Sequence, residues 1–301
     1  MKYLLSKARN FLNKPILEAI YCIGSQEIDK TTILNRKECQ VMLHIKYKQM
    51  LHDSSPLPHF NEVGFSVYSQ NDEDGILLFI FSIIGFSRKK LIDIGSGTIK
   101  NSNTANLIIN HGWTGLLIDG NESKIEQSRK VYNSIPETQQ YPPTLISCKI
   151  TAENINSIIE TNGFNGEVDL LSIDIDGIDY WVWKAIECTR PRVVLIEYQC
   201  IWGPEKSVTV PYDAEFNGGF VGQYGVYSGA SLNAFVKLAH EKGYRLVGCN
   251  QYGYNAFFVR NDLGQEALPE INPSQCFQHP FTDWAAKEFL NDIKEKDWVT
   301  V

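Results

Sequence analysis

The sequence predicts an α/β protein built on a mostly parallel seven-stranded sheet whose last strand is antiparallel. Short apolar runs alternate with segments of helical periodicity, which is the pattern of strands joined by helical crossovers. The last two apolar runs, residues 244–249 and 255–260, are too close together for a parallel crossover and are expected to pair antiparallel. With 301 residues and 43% hydrophobic content, the chain can bury a full core of this kind.

Composition limits the classes of partner. The formal net charge of −7 disfavours nucleic acid as a partner, because no basic surplus is available to neutralise phosphates. Seven cysteines without a C-x-x-C spacing are typical of free thiols in a reducing cytoplasm. No apolar run is long enough to span a bilayer, and the N-terminus lacks the apolar segment of a signal peptide. We therefore expect a soluble, cytoplasmic protein.

Residues 1–60 precede the predicted sheet and are expected to form a helical cap. Leu4, Ala8 and Phe11 recur at helical spacing, and a second helical region extends from Ile33 to Leu51. Such a segment can cover a ligand site or mediate formation of a homo-oligomer, and the sequence does not choose between these roles.

A third helix is predicted before the first strand, over the apolar run 76–81. Ser69 is placed to cap it, and Asp72 and Glu73 suit its first turn. These residues have two interpretations. They either serve as helix-capping groups only, or they bring Gln70 or Glu73 to the mouth of a ligand site, because the helix ends just before a glycine-rich turn.

The first strand–helix–strand unit extends from Leu91 to Asp119. Its first apolar run leads into Gly95-Ser96-Gly97, Thr104 belongs to the polar turn that caps the helix, and the second run ends on Asp119. Glycines after the first strand let a ligand approach the backbone, and an acid at the end of the second can bind ribose hydroxyls. The unit therefore predicts a nucleoside site in a Rossmann-like sheet.

The third glycine position decides which nucleoside is expected. A G-x-G-x-x-G motif would require glycine where this chain has Lys100, which argues against NAD. An acid in the first strand (Asp93), then G-x-G, then an acid ending the second strand resembles class I S-adenosylmethionine-dependent methyltransferases. A turn that binds no ligand is the alternative.

Further along the chain, residues 144–150 are predicted as the third strand, and Thr151 is placed to cap the helix that follows. In the methyltransferase class this corner lies against the adenine, so the resemblance implies a cofactor contact for Glu153. An acid in a first helical turn, stabilised by the helix dipole, is the simpler explanation of Glu153.

Carboxylates follow two more strands. Asp174, Asp176 and Asp179 come after a buried run, and Asp174 and Asp176 would face the same side if the strand continued through them. Buried carboxylates are costly unless paired or coordinated, so a purely structural role for all three is not expected. With Glu197 at the end of the fifth strand, Asp174 and Asp176 could bind Mg²⁺, or one of the acids could act as a general base.

Five segments in order resemble bacterial S-adenosylmethionine-dependent methyltransferases near the FkbM-type group: LIDIGSG, LLIDG, DLLSIDIDGIDYWVW, VVLIEY and YRLVGCNQYGYNAFFVR. The resemblance covers about residues 65–262 and implies O-methylation of a sugar hydroxyl in a surface glycan or natural product. We expect a methyltransferase domain over residues 61–265 and a C-terminal extension over 266–301. The predicted cofactor contacts are Gln70, Asp93, Gly95, Gly97, Thr104, Asp119, Gly120, Glu153 and Asp174.

The acceptor is expected to lie near a Gly- and aromatic-rich insertion, residues 199–229. A long irregular segment directly after a sheet strand is often a lid, although its aromatic residues could equally form a small core of their own. The predicted substrate contacts are Asp179, Tyr180, Tyr212 and Asn250, the last because it follows a strand at the catalytic edge.

A glycosyltransferase is the rival function. Asp174-Ile175-Asp176 is a D-x-D sequence, and such sequences hold a metal and a nucleotide sugar in those enzymes. The complete nucleoside-binding unit that precedes it and the pair of strands near the end favour the methyltransferase.

Overall fold

The computed structural model describes residues 37–216, 218–221 and 224–301, without the side chains of residues 221 and 224. The predicted helix around Leu4 to Phe11 and most of the expected cap lie outside these residues. Residues 37–52 are helical (α1), in agreement with the second predicted helical region. The chain divides into two compact units, Met1–Lys46 and Tyr47–Val301, so the C-terminal extension belongs to the same unit as the sheet.

The main sheet has seven strands. Five come from the first part of the unit and two from near its end: β1 (Lys90–Ile94), β2 (Thr114–Asp119), β3 (Thr144–Ser147), β4 (Gly166–Ile173), β5 (Thr189–Glu197), β9 (Tyr244–Cys249) and β10 (Asn255–Arg260). Their order across the sheet is β3-β2-β1-β4-β5-β10-β9. The first five strands are parallel, and β10 is antiparallel to both β5 and β9. The predicted fold class is confirmed.

The order of the strands reverses between β1 and β4, which lie side by side at the centre of the sheet. In an open α/β sheet, ligands bind beyond the carboxyl ends of the strands at such a reversal, because the crossovers on either side leave opposite faces and open a crevice. The glycine-rich turn after β1 and the acids after β4 both lie at this point.

Helices lie on both faces of the sheet, as neighbouring residues of β10 show. Phe257 contacts Phe60, whereas Phe258 contacts Trp183 of the opposite face. The helices of the unit are α2 (Phe60–Val63), α3 (Glu73–Ile84), α4 (Ala105–His111), α5 (Glu122–Ser134), α6 (Ile155–Thr161), α7 (Asp179–Ala185), α8 (Leu232–Lys242) and α9 (Pro280–Ile293). Among the described residues, every helix is too short or too polar to cross a membrane.

Two predicted caps are wrong. Helix α3 begins after Asp72, not after Ser69, because the Asp74 carboxylate binds the backbone of the preceding turn and delays the helix. Strand β3 ends at Ser147, short of the predicted Ile150, and α6 begins after Asn154 and not Thr151. The Asn154 side chain accepts a hydrogen bond from the Thr151 backbone N–H, so the chain makes a turn there before the helix starts.

The insertion after β5 is more regular than the sequence suggests. It contains a 3-10 turn (Cys200–Trp202), a short strand β6 (Val208–Thr209) and a hairpin of β7 (Gly219–Val221) and β8 (Tyr224–Tyr227). Strand β6 pairs with β11 (Val299–Thr300), which ties the insertion to the C-terminal residues.

Candidate functional site

The glycine-rich turn after β1 passes directly against the loop after β4. Gly95 has φ +86°, and a Cβ at this residue would lie 1.7 Å from the carbonyl oxygen of Asp174. No side chain fits there, so the first glycine of the motif is required by contact with the protein's own backbone.

The second glycine of the turn connects to β2. Gly97 has φ +57°, and its backbone N–H donates to Asp119 Oδ2 at 2.8 Å. The other carboxylate oxygen of Asp119 accepts from the Asn121 backbone N–H at 2.7 Å. A Cβ at Gly97 or at Gly120 would meet nothing closer than 3.8 Å, so both glycines leave open space beside the Asp119 carboxylate.

Asp93 and Thr104 bind each other beneath this turn. The Thr104 hydroxyl donates to Asp93 Oδ2 at 2.6 Å, and both residues are buried. Burial raises the pKa of Asp93 to about 6, against the opposing effect of the Thr104 hydrogen bond. The pair joins β1 to the start of α4, so these two predicted cofactor contacts are positioned to hold the turn in shape from below.

Two buried hydroxyls near the turn have no hydrogen-bond partner among the described residues. They are the hydroxyls of Ser96, in the turn itself, and of Tyr132 on α5. Burial, followed by the nearby charge of Asp93, raises the pKa of Tyr132, so this hydroxyl keeps its proton. Unpartnered buried hydroxyls are uncommon in folded proteins, because each loses the hydrogen bonds that water would supply. At Ser96 this indicates a place for a polar ligand.

The loop before α3 is organised by a residue that the sequence analysis missed. Asp74 Oδ2 accepts hydrogen bonds from the backbone N–H groups of Val67, Tyr68 and Ser69 at 2.7, 2.7 and 3.0 Å. Burial raises the pKa of Asp74 to about 6 in spite of these bonds. Gln70, a predicted cofactor contact, is exposed on this loop. The acidic run around Asp74 was visible in the sequence, but the direction of its side chain was not.

Strand β4 ends at Ile173, so it does not continue through Asp174 and Asp176, and the condition under which they would face the same side is not met. Asp176 has φ +53°, which turns the chain sharply after Asp174. The turn nevertheless brings the predicted acids together: one carboxylate oxygen from each of Asp174, Asp176 and Glu197 lies within 4.8 Å of the others. We call these three residues the acid cluster.

The acid cluster is strongly perturbed. Burial, followed by the charges of Asp176 and Asp179, raises the pKa of Asp174 to about 8. Burial and the charge of Asp174 raise the pKa of Glu197 as well. The two carboxyl groups are hydrogen-bonded, and a shared proton relieves their repulsion. Both pKa values are raised, so the pair favours holding a proton.

Asp179, a predicted substrate contact, forms the turn after β4. Its two carboxylate oxygens accept from the backbone N–H groups of Ile175 and Gly177 at 2.9 and 3.0 Å, and the side chain is buried. The sequence indicated that the three acids after β4 would not all be structural, but it did not show which one would be, because the strand pattern does not reveal where the backbone N–H groups of a turn point.

Two other predicted substrate contacts are corrected. Tyr180 is buried in the core, where its ring packs against Trp181 and Phe235. Asn250 is also buried, and it accepts hydrogen bonds from the backbone N–H groups of two nearby residues while donating to Glu73. Neither side chain is free to meet a substrate.

Tyr212 and Glu153, predicted as substrate and cofactor contacts, bind each other. The Tyr212 hydroxyl donates to Glu153 Oε2 at 2.5 Å and accepts from the Ala152 backbone N–H at 3.2 Å. The pKa of Glu153 is lowered, chiefly by the hydrogen bond from Tyr212. An ion pair between Lys149 and Glu215, 2.9 Å long, lies beside this contact. The insertion is thereby attached to the corner after β3.

The other end of the insertion touches the loop of the acid cluster. The Gly229 backbone N–H donates to the Gly177 carbonyl oxygen at 2.8 Å, and the Phe216 ring lies beside Gly177. The insertion therefore runs from the corner after β3 to the loop after β4, the two positions that flank a ligand at the centre of the sheet.

A cavity of about 290 Å³ opens beside the acid cluster. Asp176, Asp179 and Glu197 contribute to one part of its wall, and aromatic residues that follow β5, lie in the turn after β9 or belong to α9 contribute to another. The sequence analysis missed α9 as part of the site. Its signal was Phe281, Trp284 and Phe289, three aromatic residues on one predicted helix of the C-terminal extension.

The strand order, the antiparallel β10 and the crevice beside β1 define the Rossmann-like methyltransferase fold. No protein-family model matches the chain, and no curated protein matches it either. Solved structures with a similar fold include mitomycin 7-O-methyltransferase MmcR, at 15% identity and a TM-score of 0.36, over 59% of this chain and 50% of that one. The chain thus spans half the length of MmcR.

Two other similar structures are covered more fully. An S-adenosylmethionine-dependent methyltransferase from Clostridium acetobutylicum aligns at 13% identity and a TM-score of 0.36, over 58% of this chain and 85% of that one. The N-terminal domain of EvdMO1 with S-adenosylhomocysteine bound aligns at 13% identity and a TM-score of 0.41, over 74% and 94%. All three TM-scores are below 0.5, so function has to be inferred from this chain's own residues.

Proposed function

We propose that this protein is an S-adenosylmethionine-dependent O-methyltransferase that acts on a sugar hydroxyl. The observation that carries the proposal is the position of Asp119. Its carboxylate ends β2 beside the Gly95–Gly97 turn, at the reversal of strand order, with open space at Gly97 and Gly120. An acid in this position accepts hydrogen bonds from a ribose.

The residues present fit the cofactor. Asp119 has a lone pair left on each oxygen after its two backbone hydrogen bonds, which suits a ribose diol. The unpartnered Ser96 hydroxyl in the turn is available to a polar group of the ligand. Glu153 and Tyr212 lie at the corner after β3, where they would border the adenine.

When bound, S-adenosylmethionine supplies a methyl group on a positively charged sulfur. The acceptor oxygen forms the new bond to carbon while the carbon–sulfur bond breaks, and the hydroxyl proton must leave, because a sugar hydroxyl is a poor nucleophile at neutral pH. Asp174 is the proposed proton acceptor. Its backbone carbonyl lies against Gly95 of the turn, and its carboxylate lies beside those of Glu197 and Asp176.

A divalent cation is the alternative role of the acid cluster. Asp174, Asp176 and Glu197 present hard oxygen ligands close enough together to hold Mg²⁺, which would lower the pKa of the acceptor hydroxyl and orient it. A proton held between Asp174 and Glu197 would relieve the repulsion of these carboxylates without a metal. We therefore propose the general base first. If it is correct, the enzyme should keep its full activity after exhaustive chelation of divalent cations.

The finer assignments are also proposals. Membership of the FkbM-type group, a surface glycan or natural product as the acceptor, a cytoplasmic location and formation of a homo-oligomer all derive from the sequence patterns. The D-x-D sequence keeps a nucleotide-sugar glycosyltransferase as the second candidate, since both of its acids belong to the acid cluster.

A thermal-shift screen with S-adenosylmethionine, S-adenosylhomocysteine, NAD and nucleotide sugars separates these functions, because a ligand of the native state raises the melting temperature. We expect a shift with the first two only. In calorimetry, Asp119→Ala should weaken S-adenosylhomocysteine binding by about 1.5–3 kcal/mol, the range for hydrogen bonds to a charged group. Unchanged affinity in a folded Asp119→Ala protein would remove the ribose assignment, and a shift with nucleotide sugars alone would favour the glycosyltransferase.

A further inference from the structure

The cavity beside the acid cluster carries charge of one sign. Asp176, Asp179 and Glu197 contribute to its lining, and none of the described residues that line it is lysine, arginine or histidine. Asp174 lies beside Glu197, with one carboxylate oxygen of each within 4.8 Å of the other, and adds a further acid next to the cavity. A negatively charged group that entered the cavity would lose its water without gaining a cation, and this is costly.

The opposite part of the wall is aromatic. Tyr254 lies 4.9 Å from Phe281, and Phe281 lies 5.4 Å from Trp284, measured between ring centroids. Trp284 is 43% exposed, which is unusual for so large an apolar side chain. Aromatic faces stack on the C–H faces of sugar rings and attract cations, and they offer an anion little stabilisation.

We infer that this cavity binds the acceptor and admits only a group without negative charge, namely a neutral or an amino sugar. This inference rests on the proposed function and sharpens it by excluding sugars that carry a carboxylate, a sulfate or a phosphate on the ring that enters. The carboxylates would accept hydrogen bonds from the hydroxyls or the ammonium group, and the aromatic wall would cover a ring face.

The charge of the cavity can be measured without knowing the acceptor. Ser228 lines the cavity and is mostly buried, so Ser228→Cys places a thiol there with little change in volume. The full-length variant, kept in EDTA, is treated with two methanethiosulfonate reagents of similar size, one carrying a trimethylammonium group and the other a sulfonate. Peptide mass spectrometry gives the rate at each thiol, and the native exposed Cys39 is the internal reference.

We expect the ratio of cationic to anionic reaction rates at residue 228 to exceed the ratio at Cys39 by about tenfold or more, since a unit charge a few ångströms away contributes more than 1 kcal/mol at intermediate dielectric. Adding Asp176→Asn should lower the ratio at residue 228 and leave that at Cys39 unchanged. Equal ratios at the two thiols would overturn the inference. Ala285→Cys, on the α9 side of the cavity, repeats the measurement if the first variant does not fold.

The sugar class is tested by protection of the same thiol from a neutral reagent. Methyl glucoside and methyl glucosaminide at high concentration should slow the reaction, and methyl glucuronide should not. Equal protection by the glucuronide, or protection by none of the three, overturns the assignment. Failure of the proposed function would be seen separately, as absent S-adenosylmethionine binding in calorimetry, because neither thiol measurement uses the cofactor.

Discussion

The two halves of the site differ in how their polar groups are satisfied. Around the Gly95–Gly97 turn, Asp119 and Asp93 each accept hydrogen bonds from fixed donors of the protein. In the acid cluster, carboxylates face one another and a proton shared between Asp174 and Glu197 relieves their repulsion. The first half holds its carboxylates in fixed positions and leaves the Ser96 hydroxyl without a partner, which suits a ligand of constant shape. The second keeps carboxylates close together with a proton between two of them, which is an arrangement that can accept or give up a proton.

Carboxylates at strand ends therefore differ in role according to the groups that surround them. An acid whose two oxygens are both occupied by backbone N–H groups serves the fold, as Asp179 does. A buried acid surrounded by other acids destabilises the folded state, so its presence points to a function. Substitutions in the two halves should therefore have different consequences.

The largest effect is expected on turnover, with cofactor affinity unchanged. Asp174→Asn removes the proposed proton acceptor with almost no change in shape, so turnover should fall by about 10²- to 10⁴-fold. Affinity for S-adenosylmethionine, measured by calorimetry, should stay close to that of the wild type. Asp176→Asn is the companion variant. Full activity in both would sink the assignment of chemistry to the acid cluster.

The next effect concerns the contact between the halves. Gly95→Ala places a Cβ on the Asp174 carbonyl and should lower the free energy of unfolding by about 3 kcal/mol or more. Gly112→Ala is the matched control, because it has a similar positive φ but no atom within 4 Å of the added Cβ, and it should cost about 1 kcal/mol. Urea denaturation measures both. Equal losses would mean that backbone conformation, and not contact, makes glycine necessary at residue 95.

The third prediction concerns the pH dependence of stability that burial of Asp93 produces. Because its pKa is raised from 3.8 to about 6, the folded state holds the proton more tightly than the unfolded state. The resulting stabilisation is present below about pH 4 and is lost as the pH rises through 6, by about 3 kcal/mol. Asp93→Asn should reduce this pH dependence of the unfolding free energy and leave the part due to Asp74, whose pKa is also raised to about 6, whereas the exposed Asp292→Asn should retain all of it. An unchanged profile in Asp93→Asn would show that the carboxyl is ionised at all these pH values.

The smallest effect is expected at the edge of the site. Tyr212→Phe removes the hydroxyl that joins the insertion to Glu153 and Ala152, at a cost of about 1 kcal/mol or less, since the contact is exposed to solvent. Hydrogen exchange of residues 203–216 should become faster, whereas exchange in β2 should not change. Identical exchange in the insertion would show that Lys149 and Glu215 suffice to hold it.

The sequence predicted the fold and the first half of the site because both depend on local patterns. Buried strands, the glycine turn and the acid after β2 can be recognised within about thirty residues of one another. The acid cluster was also predicted, since parallel strand ends meet at one edge.

The predicted substrate contacts that were wrong depended on the direction in which a side chain points, which the sequence does not give. Asn250 follows a strand at the correct edge, but its side chain turns into the protein to bind Glu73, about 180 residues away in sequence. Tyr180 is close to the acids in sequence, yet helix α7 points it into the core. The aromatic wall from α9 was missed because nothing local links that helix to β5.

The close approach of Gly95 to Asp174 also has a consequence for redesign. A change that shifts the loop after β4, for example to alter the acceptor, will move the backbone against which the cofactor turn rests. Substitutions on the two sides should therefore be non-additive, with coupling energies of about 0.5–3 kcal/mol in double-mutant cycles. Chimeras that exchange residues 95–97 between related proteins without also exchanging 174–177 should fold poorly, so the two segments have to be inherited together.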